Sequence, residues 1–152
     1  MQDVDGTDAT GVGIRGVAMT IDAVVWFVLF FVAIFVVAVA TGQLETAANG
    51  LDADLEGTAA SMALALWLGL TTGYHTVLEW RFGQTIGKYL VGIRVVDDDG
   101  AAPSVGSSLA RNVLRLLDWL PLFYGVGIAA IVLSDRPKRL GDRVGGTLVV
   151  RT

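Results

Sequence analysis

From Val17 to Ala40 the chain reads VAMTIDAVVWFVLFFVAIFVVAVA, and Asp22 is the only charge in it. A run of this length spans the hydrocarbon of a bilayer as a single helix. A carboxylate at such a depth is costly, by roughly 2.5–3.5 kcal/mol on insertion scales. Asp22 is therefore expected to face protein or water and to have a partner. Arg15 stands two helical turns before it, on nearly the same helix face. The expectation is a buried polar site built on Arg15 and Asp22.

Composition agrees with a membrane protein. The chain has 152 residues, 53% of them hydrophobic, and a mean hydropathy of +0.61, high for a soluble domain. There is no cysteine, which excludes disulfides, thiolate chemistry and Cys-ligated zinc. A net charge of −4 argues against nucleic acid as a partner, since that needs a basic surface. The only lysines are Lys88 and Lys138. Scarce lysine beside abundant Asp, Ala, Gly and Val resembles the composition of proteins from salt-loving archaea. The acidic N-terminus and the length of the apolar run argue against a signal peptide.

The pattern along the chain predicts a mainly α-helical, polytopic membrane protein. Residues 1–13 read as a mobile polar tail, and residues 14–152 as one membrane domain. The first span runs from about Ile14 to Thr41. The loop from Gly42 to Gly57 holds Glu45, Asp52, Asp54 and Glu56 and no cation. A second apolar stretch, Thr58–Leu78, follows without any Lys, Arg, Asp or Glu. Its Ala65, Gly69 and Gly73 form a small-residue stripe, expected to be a packing seam against the first helix. Arg81, Lys88 and Arg94 come after it, so the acidic loop is expected outside and the N-terminus inside a cell membrane.

LVGIRVV at 90–96 and TLVVR at 147–151 are β-like runs, expected to pair as a small two-stranded element on the cytoplasmic side. That pairing constrains the third apolar region, Leu109–Leu133. It carries Arg111, Arg115, Asp118 and Pro121, which suits two helices broken near Pro121. One, about Ser104–Leu120, is amphipathic and partly interfacial. The other, about Leu122–Ser134, is short and re-entrant. The alternative is a simple third span with the C-terminus outside.

Several polar groups are candidates for chemistry. Arg111, Arg115 and Asp118 share one helix face, where Asp118 can pair with either arginine. His75 and Glu79 lie one turn apart near the end of the second span, as a proton relay or, more simply, a satisfied histidine and a helix-end glutamate. Two such ligands are too few for a metal site. Gly83-Gln-Thr-Ile-Gly87-Lys88 is one residue short of a phosphate loop and has Tyr89 where Ser or Thr would bind the metal. Its glycines suit a tight turn, and Lys88 suits a lipid phosphate. No nucleophile–base–orienter arrangement is visible, so neither an enzyme nor a cofactor is expected.

Read in order, the motifs form a pattern. They are Arg15-x-x-Ala18-x-x-x-Asp22, Gly83-Gln-Thr-Ile-Gly87-Lys88 and Gly92-Ile-Arg94-Val-Val. Then follow Gly100-x-x-Pro103-Ser104, Arg111-x-x-x-Arg115-x-x-Asp118-x-x-Pro121, and Arg139-Leu-Gly-Asp142-x-x-x-Gly146-Thr147-x-Val149-Val150. Together they resemble the RDD family of small integral membrane proteins, over about residues 14–151. The family is named for one arginine and two aspartates. Arg15 and Asp22 match the first two and Asp142 the last, with Asp118 as its rival. The resemblance implies transport of an unidentified ligand, with sodium–proton exchange in some members, or an accessory role beside other membrane modules. Two function classes follow. In one, Arg15, Asp22 and Asp142 carry ions or a small ligand, which would need an oligomer. In the other, the Arg–Asp pair is structural, in a scaffold or accessory subunit for another membrane protein. The bilayer is a partner in both.

Overall fold

The computed structural model describes residues 10–47, 50–118 and 140–152. In chain order its elements are helix α1 (Val12–Thr41), strands β1 (Leu44–Ala47) and β2 (Gly50–Ala53), helices α2 (Gly57–Phe82) and α3 (Ile86–Leu90), and strand β3 (Ile93–Asp97). Helices α4 (Val105–Asp118) and α5 (Leu140–Gly145) and strand β4 (Thr147–Arg151) complete them. The fold is mainly helical. The expected break at Pro121 and the short helix 122–134 lie outside the described residues.

Helix α1 has 30 residues, about 45 Å at 1.5 Å per residue. Its Gly13–Thr41 stretch is long and apolar enough to cross a membrane. The chain divides into two compact units, one of residues 1–22 and 74–152, the other of residues 23–73.

In the 23–73 unit, Val37 of α1 packs on Ala59 and Ala63 of α2, with Ile34, Leu55 and Leu66 around them. The Trp67 indole N–H donates to the Trp26 carbonyl oxygen at 3.0 Å, which satisfies the polar end of a large apolar side chain. Its ring meets Phe30 edge to face at 5.6 Å. This seam corrects the one expected from sequence. Ala65 and Gly69 are exposed, and a Cβ built on Gly69 or Gly73 meets nothing within 4 Å. Small-residue spacing alone does not reveal which side of a helix its neighbour takes. The acidic connection between α1 and α2 is also more than a loop, since β1 and β2 form an antiparallel hairpin in it.

In the other unit, β3 and β4 pair antiparallel from Ile93↔Arg151 to Asp97↔Thr147, as the two β-like runs predicted. Ile93, Val95 and Val149 bury one face against Ala18 of α1. Of the expected tail, only the part from Thr10 on lies within the described residues. Thr10 N–H donates to the Val149 carbonyl oxygen at 2.9 Å, and α1 begins at Val12. Gly83 ends α2 at φ +71°, the left-handed position that favours glycine after a helix. Its carbonyl then accepts from Val95 N–H at 2.7 Å, so the exit of α2 is bonded directly to β3.

The seam gives a paired prediction. Ala63→Leu inserts bulk into the Val37 contact and should destabilise by about 1–3 kcal/mol. Ala65→Leu, on an exposed position, should change stability by less than about 0.5 kcal/mol. Thermal unfolding in detergent micelles, followed by circular dichroism, distinguishes them. Equal effects would mean that the seam runs through the Ala65 stripe after all.

Candidate functional site

The N-terminal turns of α1 place Arg15 and Asp22 on one side of the helix, as their spacing requires. They do not join each other. Arg15 Nη1 ion-pairs with Asp142 Oδ2 of α5 at 2.8 Å, and its Nε donates to the Thr10 carbonyl oxygen at 3.1 Å. Asp22 is held by other donors. Its Oδ1 accepts from the Tyr74 hydroxyl at 2.9 Å and from Gly87 N–H at 2.9 Å. Its Oδ2 accepts from the Thr85 hydroxyl at 2.6 Å. The expected Arg15–Asp22 pair is thus corrected. Sequence spacing sets the shared face, but different elements pack over its two ends.

Asp22 organises the start of α3. Thr85 is the N-cap, and its hydroxyl oxygen accepts from Lys88 N–H. Ile86 N–H donates to the Tyr74 hydroxyl oxygen at 3.1 Å. Gly87 N–H goes to Asp22 itself. The backbone donors that a helix start leaves unmatched are therefore met by three side chains. A carboxylate also suits the positive end of the helix dipole. Only glycine fits at 87, because a Cβ there would collide with the Ala18 carbonyl oxygen. The Gly83–Lys88 motif is thus a docking turn rather than a phosphate cradle.

The second cluster centres on Arg111 of α4. Its Nη1 meets Asp142 Oδ1 at 2.7 Å and Thr147 Oγ1 at 3.3 Å. Its other edge grips Glu79 of α2, with Nε to Oε2 at 3.2 Å and Nη2 to Oε1 at 3.3 Å. Glu79 also pairs with Lys88 Nζ of α3 and accepts from Asn112 Nδ2 at 3.0 Å. A continuous buried chain results, Arg15–Asp142–Arg111–Glu79–Lys88, drawing on five helices. Arg115 Nη1 lies 3.1 Å from His75 Nδ1. The side chain of Asp118 lies outside the described residues.

Burial pushes the Lys88 ammonium down to about 7, aided by the nearby Arg111 and Arg115 charges and opposed by Glu79. Burial pulls Arg111 the same way, but Glu79 and Asp142 outweigh it and hold the guanidinium above its ordinary value. Buried and paired with Glu79, Lys88 is no lipid-facing cation, contrary to the expectation for it. A cavity of about 40 Å³ opens among Arg15, Asp22, Lys88, Arg111, Arg115 and Asp142. At the 10–15 Å³ that a water needs, it has room for about three waters. Among the described residues, no group of three His, Asp or Glu is arranged to hold a metal.

Of the residues singled out in the sequence, Arg15, Asp142, Arg111 and Glu79 come together, while Asp22 and the His75–Arg115 contact flank them. Sequence reading missed Tyr74, Thr85 and Asn112, and gave Gly87 a tight turn without its contact to Asp22. The signal for Thr85 was available, since Thr followed by three residues of a short helix is an N-cap pattern.

The RDD family's sequence model matches residues 9–146. No curated protein and no solved structure gives a significant match.

Two substitutions test the geometry. Gly87→Ala should cost more than about 4 kcal/mol, the range of severe steric or core lesions, and should abolish folded yield. Arg111→Met leaves Glu79 and Asp142 without their shared partner and should cost about 3–5 kcal/mol. Arg94→Met, at an exposed position, is the control and should be near neutral. Unfolding midpoints in detergent give the comparison, and an Arg111→Met protein as stable as the control would remove the cluster from the core of the fold.

Proposed function

The chain belongs to the RDD family, and on that premise we propose that it is a non-catalytic membrane scaffold or accessory subunit whose Arg–Asp groups are structural. The observation that carries this reading is that three donors of the chain itself hold Asp22. Both of its oxygens are occupied by donors from the chain's own α2, α3 and N-cap residue. A carrier carboxylate must exchange a proton or a cation, and three donors would have to be displaced first. Leaving buried donors unmade costs about 1–3 kcal/mol each.

The placement proposed is a multi-pass protein of the cell membrane with α1 and α2 as spans and the N-terminus in the cytoplasm. Support comes from the loop charges, acidic between the two helices and basic after them. The β3–β4 pairing supports placing both strands on one side of the bilayer, because hydrogen-bonded strands share one side. Another membrane protein or a second copy is the partner, with no nucleic acid and no cofactor.

Ion transport is the second reading, favoured by the cavity that reaches Asp22, Asp142 and Lys88 together. In that reading Lys88 or Asp22 exchanges a proton against sodium or a small ligand.

Proton and sodium flux in proteoliposomes at high salt separates the two, using wild type and Asp22→Asn at equal folded content. The scaffold reading expects no flux above empty vesicles in either protein. It expects Asp22→Asn to lower stability by about 1–3 kcal/mol through a lost donor–acceptor match. Flux in wild type that disappears in Asp22→Asn would make Asp22 a carrier group and overturn the reading.

A further inference from the structure

Helices α3 and α4 carry their polarity inside out. In α4, Ser108, Arg111 and Asn112 are 1%, 8% and 2% exposed, while Val105, Leu109 and Val113 are 48%, 47% and 45% exposed. The exposed residues recur every four positions and so form one stripe. A helix on the surface of a water-soluble domain shows the reverse, with its apolar stripe inward. The same inversion holds in α3. Gly87 and Lys88 are buried, whereas Ile86, Tyr89 and Leu90 face outward. Both helices turn their polar sides to one group, since Lys88 and Arg111 each pair with Glu79.

We propose that α3 and α4 lie at the boundary between lipid headgroups and acyl chains of an anionic bilayer, with Ile86, Tyr89, Leu90, Val105, Leu109 and Val113 in the acyl layer. Lipid is the occupant for three reasons. The inversion is coherent over two helices, as it must be when the solvent outside is apolar. It continues onto α1 and α2 within the same compact unit, where Val17, Val77, Trp80 and Phe82 are exposed. Cations then stand at its margin. Arg81 is exposed with its guanidinium 5.8 Å from the Phe82 ring centroid, and the exposed Arg94 passes beside Gly83. Long basic side chains at an apolar margin reach lipid phosphates while their stems stay in the acyl layer. The assignment holds whether the protein is a scaffold or a carrier. It makes α3 and α4 a lipid-facing collar built directly on the buried ionic cluster.

The absence of native cysteine allows a direct test on the full chain. Leu109→Cys and, independently, Val113→Cys carry an environment-sensitive fluorophore in vesicles of phosphatidylcholine and phosphatidylglycerol, with Ala102→Cys as the exposed-turn control. All are matched for helical content by circular dichroism. The expected result is blue-shifted emission at 109 and 113, quenching by spin-labelled acyl chains, and loss of iodide quenching, with the opposite at 102. Iodide quenching at 109 and 113 equal to that at 102 would place the face in water and overturn the proposal. Shielding from both quenchers, together with Leu109→Cys disulfide cross-linking between copies, would overturn it in favour of a second copy on that face.

Discussion

Arg111 lies between two buried carboxylates, Glu79 on one edge of its guanidinium and Asp142 on the other. Each described helix of its compact unit is tied to this contact. Glu79 brings in α2 and, through Lys88, α3. Asp142 brings in α5 and, through Arg15, the start of α1. Thr147 adds strand β4. An ion taken out of water costs several kcal/mol unless it is paired, so no member of the chain can be left behind once the others are buried. This couples segments that are far apart in sequence into one cooperative unit.

Asp22 forms a second, smaller knot by the same logic, with neutral donors instead of cations. Its carboxylate takes a tyrosine hydroxyl, a threonine hydroxyl and a backbone N–H. That pins a five-residue helix too short to be stable alone. Once α3 is pinned, Lys88 on its inner side reaches Glu79. The two knots therefore depend on each other through α3, and Gly87 is the point where backbone meets backbone closely enough to permit it. Arg15, Asp22 and Asp142 each join segments that are distant in sequence.

The same arrangement explains why α3 and α4 turn polar residues inward and apolar ones outward. Water is the good solvent for charge, and where lipid surrounds a protein, charge is driven inward to find partners. Among the described residues, the apolar cluster of this unit is Ala18, Ile93, Val95 and Val149, with Ile14 and Val91 beside them. The 23–73 unit needs no such cluster. Its helices meet through Ala59, Ala63 and Val37, and Trp67 closes its one polar valence on a helix carbonyl.

Much of this architecture follows from local pattern. A long apolar run specifies α1 because only a helix satisfies its backbone in lipid. Runs rich in branched apolar residues, Ile-Arg-Val-Val and Leu-Val-Val, mark β3 and β4, and the glycine after α2 marks its end. The spacing of Arg15 and Asp22 places them on one face, and the ordered motifs identify the family. Partner choice was not legible. Nothing local distinguishes Asp22 from Asp142 as the mate of Arg15, because that depends on which distant element packs over each turn of α1. Lys88 reads as a surface cation until α3 is docked by Asp22, and the side of α2 that meets α1 is set by the whole seam rather than by its glycines. Periodicity and solvent preference act within a segment and are written in it. The pairing of buried charges is decided between segments, and only the tertiary structure brings those together.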